Sequence, residues 1–195
     1  INRFKGVATG MTVEIAITAM VLAIIASIFA STMFTDASPW PTSKPVRDTM
    51  VAVLENTAGA DGLGKGGSGP IYELGAGWGG LARVLARRYP ESPVLGFAIS
   101  LLPWAYSAVR NYINGPKNLS LRLKDFNKVD LSDAALVVCY LPGAAMQKLK
   151  PKLEAELPSG ALVLSNTFAI RGWEPIEVQT APDVHASQVY LYRVN

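Results

Sequence analysis

Between Ile15 and Phe34 the chain runs for twenty positions without a charged residue. A helix of that length rises about 30 Å, the thickness of a bilayer's hydrocarbon core. The run is longer than the apolar stretch of a secretory signal and longer than most buried core helices. It therefore predicts one transmembrane helix, with residues 1–35 as an N-terminal membrane anchor. Pro39, Pro41 and Pro45 then interrupt any continuous helix, and Trp40 among them suits a membrane interface. Val46, Met50, Val53 and Leu54 recur at helical spacing, which predicts a short amphipathic helix over 46–57. Six glycines in 58–69 mark a loop, so 36–69 is a linker carrying one short helix.

From Pro70 onward short apolar runs alternate with amphipathic stretches. Strands are predicted at 71–74, 93–97, 119–123, 134–141 and 161–165, with helices at 80–89, 101–114 and 144–157 between them. The run AALVVCYL at 134–141 is apolar throughout, as a strand covered on both faces should be. Residues 174–179 and 188–193 alternate and predict a terminal antiparallel pair. Strands separated by helices make an α/β domain over 70–195, a doubly wound, mostly parallel seven-stranded sheet.

Composition narrows the chemistry. The net charge of +3 comes without a basic stripe interleaved with aromatics, so no nucleic acid partner is expected. Cys139 is the only cysteine and His185 the only histidine, which leaves no disulfide, no zinc cluster and no expected metal site. Arg3 and Lys5 on one side of the apolar run, and Lys44 and Arg47 on the other, do not fix an orientation. The first residue is Ile1, which leaves an upstream segment open.

The segment Tyr72-Glu73-Leu74-Gly75-Ala76-Gly77-Trp78-Gly79-Gly80 passes from a strand through a tight turn into a helix. Such a turn at the carboxyl end of a strand is where open α/β sheets hold nucleotide-like ligands. Gly75, Gly77 and Gly80 fit the spacing of a dinucleotide fingerprint. Against that, Glu73 would repel a pyrophosphate and would pair with the ammonium of a methionine moiety. A turn with no ligand is the third reading.

These residues resemble the first motif of the class I S-adenosylmethionine-dependent methyltransferases, and the resemblance extends over 70–195. It implies a Rossmann-like methyltransferase fold with S-adenosyl-L-methionine as cofactor. The cofactor-binding residues it implies are Glu73, Gly75, Ala76, Gly77, Trp78 and Gly79 in the motif, with Ala98 and Ile99 after the second strand. Asp125, facing the adenine amino group, and Phe126, stacking beside it, complete the set. One departure stands out: the acid that grips the ribose would fall at Ala98. Either another group replaces it, or the cofactor is held weakly, or the alanine is an engineered loss of the acid, the reading favoured here.

Within that class, Ser100-Leu-Leu-Pro-Trp-Ala-Tyr-Ser107 is similar to a segment of the membrane-anchored protein-lysine methyltransferases of mitochondria and their bacterial relatives. Residues 140–142 lack the Asn/Asp-Pro-Pro-Tyr segment of many amino-methyltransferases. Tyr140 and, on position alone, Asn166 are the candidate catalytic residues bounding an acceptor pocket. The resemblance implies N-methylation of lysine on a membrane-embedded protein, with a bilayer as the anchor's partner. A small lipophilic acceptor, or a catalytically silent cofactor-binding membrane module, are the alternatives. The expected location is a single-pass membrane protein with its domain on the cytoplasmic or mitochondrial matrix side. Oligomeric state is left open.

Overall fold

The computed structural model of the chain describes residues 13–22, 42–58, 63 and 69–195. A first helix, α1, covers 13–22, and all ten of its residues are exposed. No helix among the described residues is long and apolar enough to cross a membrane. The expected single-pass placement is corrected on that ground, while the anchor expected over 1–35 lies largely outside the described residues. The rest of the apolar run, 23–34, lies outside the described residues, as do Trp40 and most of the glycine-rich loop.

Helix α2 (Lys44–Ala58) begins earlier than the prolines predict. Pro45 sits in its first turn, where a missing N–H leaves no helical bond unmade. The hydroxyl of Thr49 then donates to the Pro45 carbonyl at 3.0 Å.

Seven strands follow in one sheet of order β3-β2-β1-β4-β5-β7-β6. They are β1 (Ile71–Leu74), β2 (Val94–Ala98), β3 (Leu119–Leu123), β4 (Leu136–Cys139), β5 (Leu162–Asn166), β6 (Glu177–Thr180) and β7 (Gln188–Arg193). β1 pairs in parallel with β2 and β4, β2 with β3, and β4 with β5, while β7 runs antiparallel to β5 and β6. Helices α3 (Gly80–Arg88), α4 (Leu101–Asn114) and α5 (Gly143–Glu156) are the crossovers. The mostly parallel, doubly wound sheet expected from the sequence is present.

The pleat sorts the core into two layers. Ile71, Val94, Leu136, Val138, Leu162 and Leu164 face α2 and α3, packing on Met50, Leu54, Leu81 and Leu85. Tyr72, Leu74, Phe97, Val137 and Val163 face the other way, onto Met146, Leu149 and Leu153 of α5. β1, β4 and β5 are therefore buried at every position, whereas the edge strand β3 is buried only at Leu119. The parallel strands bring the carboxyl ends of β1 to β5 to a single edge.

Candidate functional site

The residues singled out in the sequence lie at or beside that edge. In the turn after β1, Gly75, Gly77 and Gly79 take φ of 86°, 49° and 68°. Side chains rarely tolerate this left-handed region, so the alternate glycines are a backbone requirement. Gly79 is also pressed on α4: a Cβ there would lie 2.9 Å from the Cβ of Ser107. Gly80 has ordinary helical backbone, and the nearest neighbour to a Cβ would be the far end of Arg47 at 3.6 Å. In a dinucleotide fingerprint the third glycine is the one that packing demands. Here packing demands Gly79 instead, which separates the two readings.

The turn is tied to its neighbours. The N–H groups of Gly75 and Ala76 both donate to the Phe97 carbonyl, at 3.0 and 2.7 Å. Gly96 in β2 makes the room, since a Cβ there would meet the Cβ of Ala76 at 2.9 Å and Leu121 at 2.8 Å. Trp78 packs edge-on against Tyr106 of α4, with ring centroids 5.5 Å apart. Ser107 and Gly96 escaped the sequence reading, because close approach between separate elements leaves no local signal.

Glu73 lies beneath the turn and is buried. Its carboxylate accepts a hydrogen bond from the Ala82 N–H in α3, while Oε2 has no partner. Burial pushes its pKa up to about 8, against the opposing pull of that N–H and of the Arg47 charge. A buried carboxyl with one vacant acceptor, behind three glycines that open the backbone, can take up a proton or a small cation. It does not suit a phosphate.

At the end of β2, Ala98 is buried and its carbonyl accepts the Lys124 N–H at 3.0 Å, while Ile99 stands 39% exposed at the rim. Asp125 caps the 3-10 turn Phe126–Lys128, one carboxylate oxygen accepting from both the backbone N–H and Nδ2 of Asn127 at 2.9 Å each. The Phe126 side chain packs in the α5-side core with Tyr72, Leu74 and Phe97 rather than standing open at the edge.

After β4, Tyr140 is half-buried, and the buried Leu141 reaches to 3.3 Å from where a Cβ on Gly75 would sit. Cys139 beneath them is fully buried and its thiol is pushed up to about 12 by burial. Asn166 ends β5 and is buried. The Phe168 N–H donates to the Asn166 carbonyl at 2.8 Å, around Thr167 at φ 68°. This is the strained, positive-φ form of the γ-turn, and a β-branched residue at its centre must be held there by its surroundings. The holders are the Ser165 hydroxyl, donating to the Phe168 carbonyl at 2.6 Å, and the Gln188 carbonyl, accepting the Thr167 N–H at 2.7 Å. Strain of this kind gathers at functional sites. Its one trace in the sequence is the polar run Ser165-Asn166-Thr167 closing an apolar strand.

Comparison with known proteins follows the same edge. The family described as the ANTKMT methyltransferase domain matches over residues 73–177, from Glu73 to the start of β6. A protein-lysine N-methyltransferase of Saccharolobus islandicus (strain REY15A) is 33% identical over 126 residues, covering 63% of this chain and 77% of its own length. The adenine nucleotide translocase lysine N-methyltransferase of Mus musculus is 31% identical over 133 residues, covering 63% of this chain. The match spans 57% of that mouse protein. Among solved structures, an RNA methyltransferase from Salinibacter ruber in complex with S-adenosyl-L-homocysteine superposes with a TM-score of 0.66 at 25% identity. That superposition covers 80% of this chain and 94% of the other.

Proposed function

We propose that this chain, which belongs to the family of the ANTKMT methyltransferase domain and is a class I S-adenosylmethionine-dependent methyltransferase, N-methylates lysine on a protein. The names of the archaeal and mouse relatives support lysine as the acceptor. The single observation that supports the cofactor's position is the unpartnered Oε2 of Glu73 beneath Gly75, Gly77 and Gly79. An ammonium is the group such an acceptor lacks.

S-adenosylmethionine supplies, when bound, a methyl group activated on a sulfonium. In this proposal Glu73 holds the ammonium, the three glycines and Ala76 let the ligand lie against the main chain, and Trp78 and Ile99 border it. Ala98 and Asp125 flank the nucleoside side, with Phe126 supporting the wall from within the core. Tyr140, Asn166 and Phe168 bound the acceptor. A lysine amine must lose its proton before it can attack, and an apolar wall of Leu141, Pro142 and Phe168 lowers its pKa by withdrawing water. Holding the amine in line with the methyl carbon supplies most of the remaining acceleration.

The test is calorimetric titration with S-adenosylhomocysteine, followed by transfer of labelled methyl to protein. Binding is expected to be lost in Glu73→Ala; absence of heat in the parent chain would overturn the reading. Ala98→Glu supplies the acid that the family places at the ribose. It is expected to tighten binding about tenfold, the value of one hydrogen bond to a charged acceptor. Equal affinity of the two forms would reject that role for position 98.

A further inference from the structure

The outer face of α4 is apolar, and no described residue covers it. Tyr112 is 93% exposed, Ile113 75%, Leu101 and Val109 59% each, and Tyr106 52%. A helix facing water ordinarily carries charge at such positions, and contiguous exposed apolar surface marks an interaction site. The face is also held rigidly from behind. The buried Arg83 of α3 donates to the carbonyls of Arg110 and Asn114 at 3.2 and 2.7 Å, and Trp104 Nε1 donates to the Leu121 carbonyl at 3.2 Å. No rearrangement is needed to present it.

Charge decides what it meets. From Ser92 to Lys124 the chain has no acidic residue and four cations, Arg110, Lys117, Arg122 and Lys124. Arg87 of α3, also exposed, lies across a shallow groove from Arg110. A second copy would set these cations against one another, so the face is not self-complementary. Tyrosines with amphipathic rings, arginines on flexible stems and aliphatic side chains on one convex helix match the boundary between headgroups and acyl chains.

We propose that the outer face of α4 docks onto an anionic phospholipid bilayer, the helix lying along the surface with Tyr106, Val109, Tyr112 and Ile113 in the interface and Arg87 and Arg110 on lipid phosphates. α4 starts directly after β2, so the first turn of the docked helix lies at the carboxyl edge of the sheet and its last turn at the opposite edge. The proposal stands apart from the methyltransferase reading, because it uses none of the residues assigned to cofactor or acceptor.

The full chain is sedimented with unilamellar vesicles of phosphatidylcholine, alone or mixed with phosphatidylserine. It is expected to pellet with the mixed vesicles, and less so as salt rises. Tyr112→Asp combined with Ile113→Asp is expected to cut that partitioning about tenfold or more. Both side chains face water in the free protein, so the melting temperature should stay put and show that the variant folds. Arg110→Glu is expected to remove the preference for phosphatidylserine. Pelleting of the double variant like its parent, or equal pelleting with both lipids, would overturn the proposal. So would a dimer, seen by light scattering, that the double variant dissolves while no vesicles are bound.

Discussion

Glu73 couples the candidate site to pH in a direction that can be worked out. Its pKa rises from an ordinary 4.5 to about 8 on folding, so between those values the folded chain holds a proton that the unfolded chain gives up. Stability from this group is complete below 4.5 and is lost progressively as pH rises to 8. The loss is on the order of 3 kcal/mol by neutral pH. Glu73→Gln keeps an acceptor for the Ala82 N–H and has no proton to lose. In urea melts without ligand, the variant should match the parent near pH 4 and exceed it increasingly up to pH 8; parallel pH profiles would refute this. The neighbouring glycines give a sharper contrast. Gly79→Ala, at φ 68° and 2.9 Å from Ser107, should cost about 2 kcal/mol or more in a thermal melt. Gly80→Ala, on helical backbone with room for a methyl, should be neutral or stabilising by about 0.5–1 kcal/mol. Sequence spacing alone offered Gly79 and Gly80 equally; only φ and the contact with α4 tell them apart.

Among the elements, the arginines of α3 do different work from what their position suggests. The sequence places Arg87 and Arg88 late in a helix, where cations favour its own dipole, and Arg83 in its first turn, where they do not. In the fold Arg83 serves α4 instead, donating to the carbonyls of Arg110 and of the terminal Asn114, and Arg88 pairs with Glu55 of α2. Arg83→Ala should destabilise the domain by about 1–3 kcal/mol, because it removes the donor to the terminal Asn114 carbonyl and a buried link between α3 and α4, while Arg87→Ala should change little. A chemical denaturation series on the two variants checks it. Elements whose cause is local were legible: the apolar run of β4 and the alternation of β6 and β7. The start of α2 was not, because a proline reads as a break wherever it falls, and its place in a first turn shows only in three dimensions. Asp125 was implied by the family resemblance, but its hydrogen bonds to Asn127 were not legible, since one carboxylate can serve a turn or a ligand. Thr167 in its γ-turn left only the polar run Ser165-Asn166-Thr167 as a trace, and nothing in that run signals a positive φ.

At the scale of the whole molecule, stability should be graded across the sheet. β1, β4 and β5 are covered on both faces, whereas β3 and β6 form the two edges and are half in water. Amide exchange should be slowest in β1, β4 and β5 and fastest in β3 and β6, the latter opening locally without global unfolding. Uniform protection across all seven strands would contradict the layering described. The doubly wound class could be read from the alternation of patterns, but the strand order could not, and the link from β3 to β4 carries only a 3-10 turn. The single membrane span expected from the apolar run was not carried over: no helix among the described residues is long and apolar enough to cross a membrane.

The burial of Cys139 makes the protein convenient to probe. With its thiol pushed up to about 12, only about one molecule in 10⁵ carries a thiolate at neutral pH, and the folded core shields even that. A cysteine introduced on the surface, at Ile113 for instance, would then be the one position that maleimide dyes modify in the native chain. Fluorescent reporters can be placed singly without first removing the native sulfur.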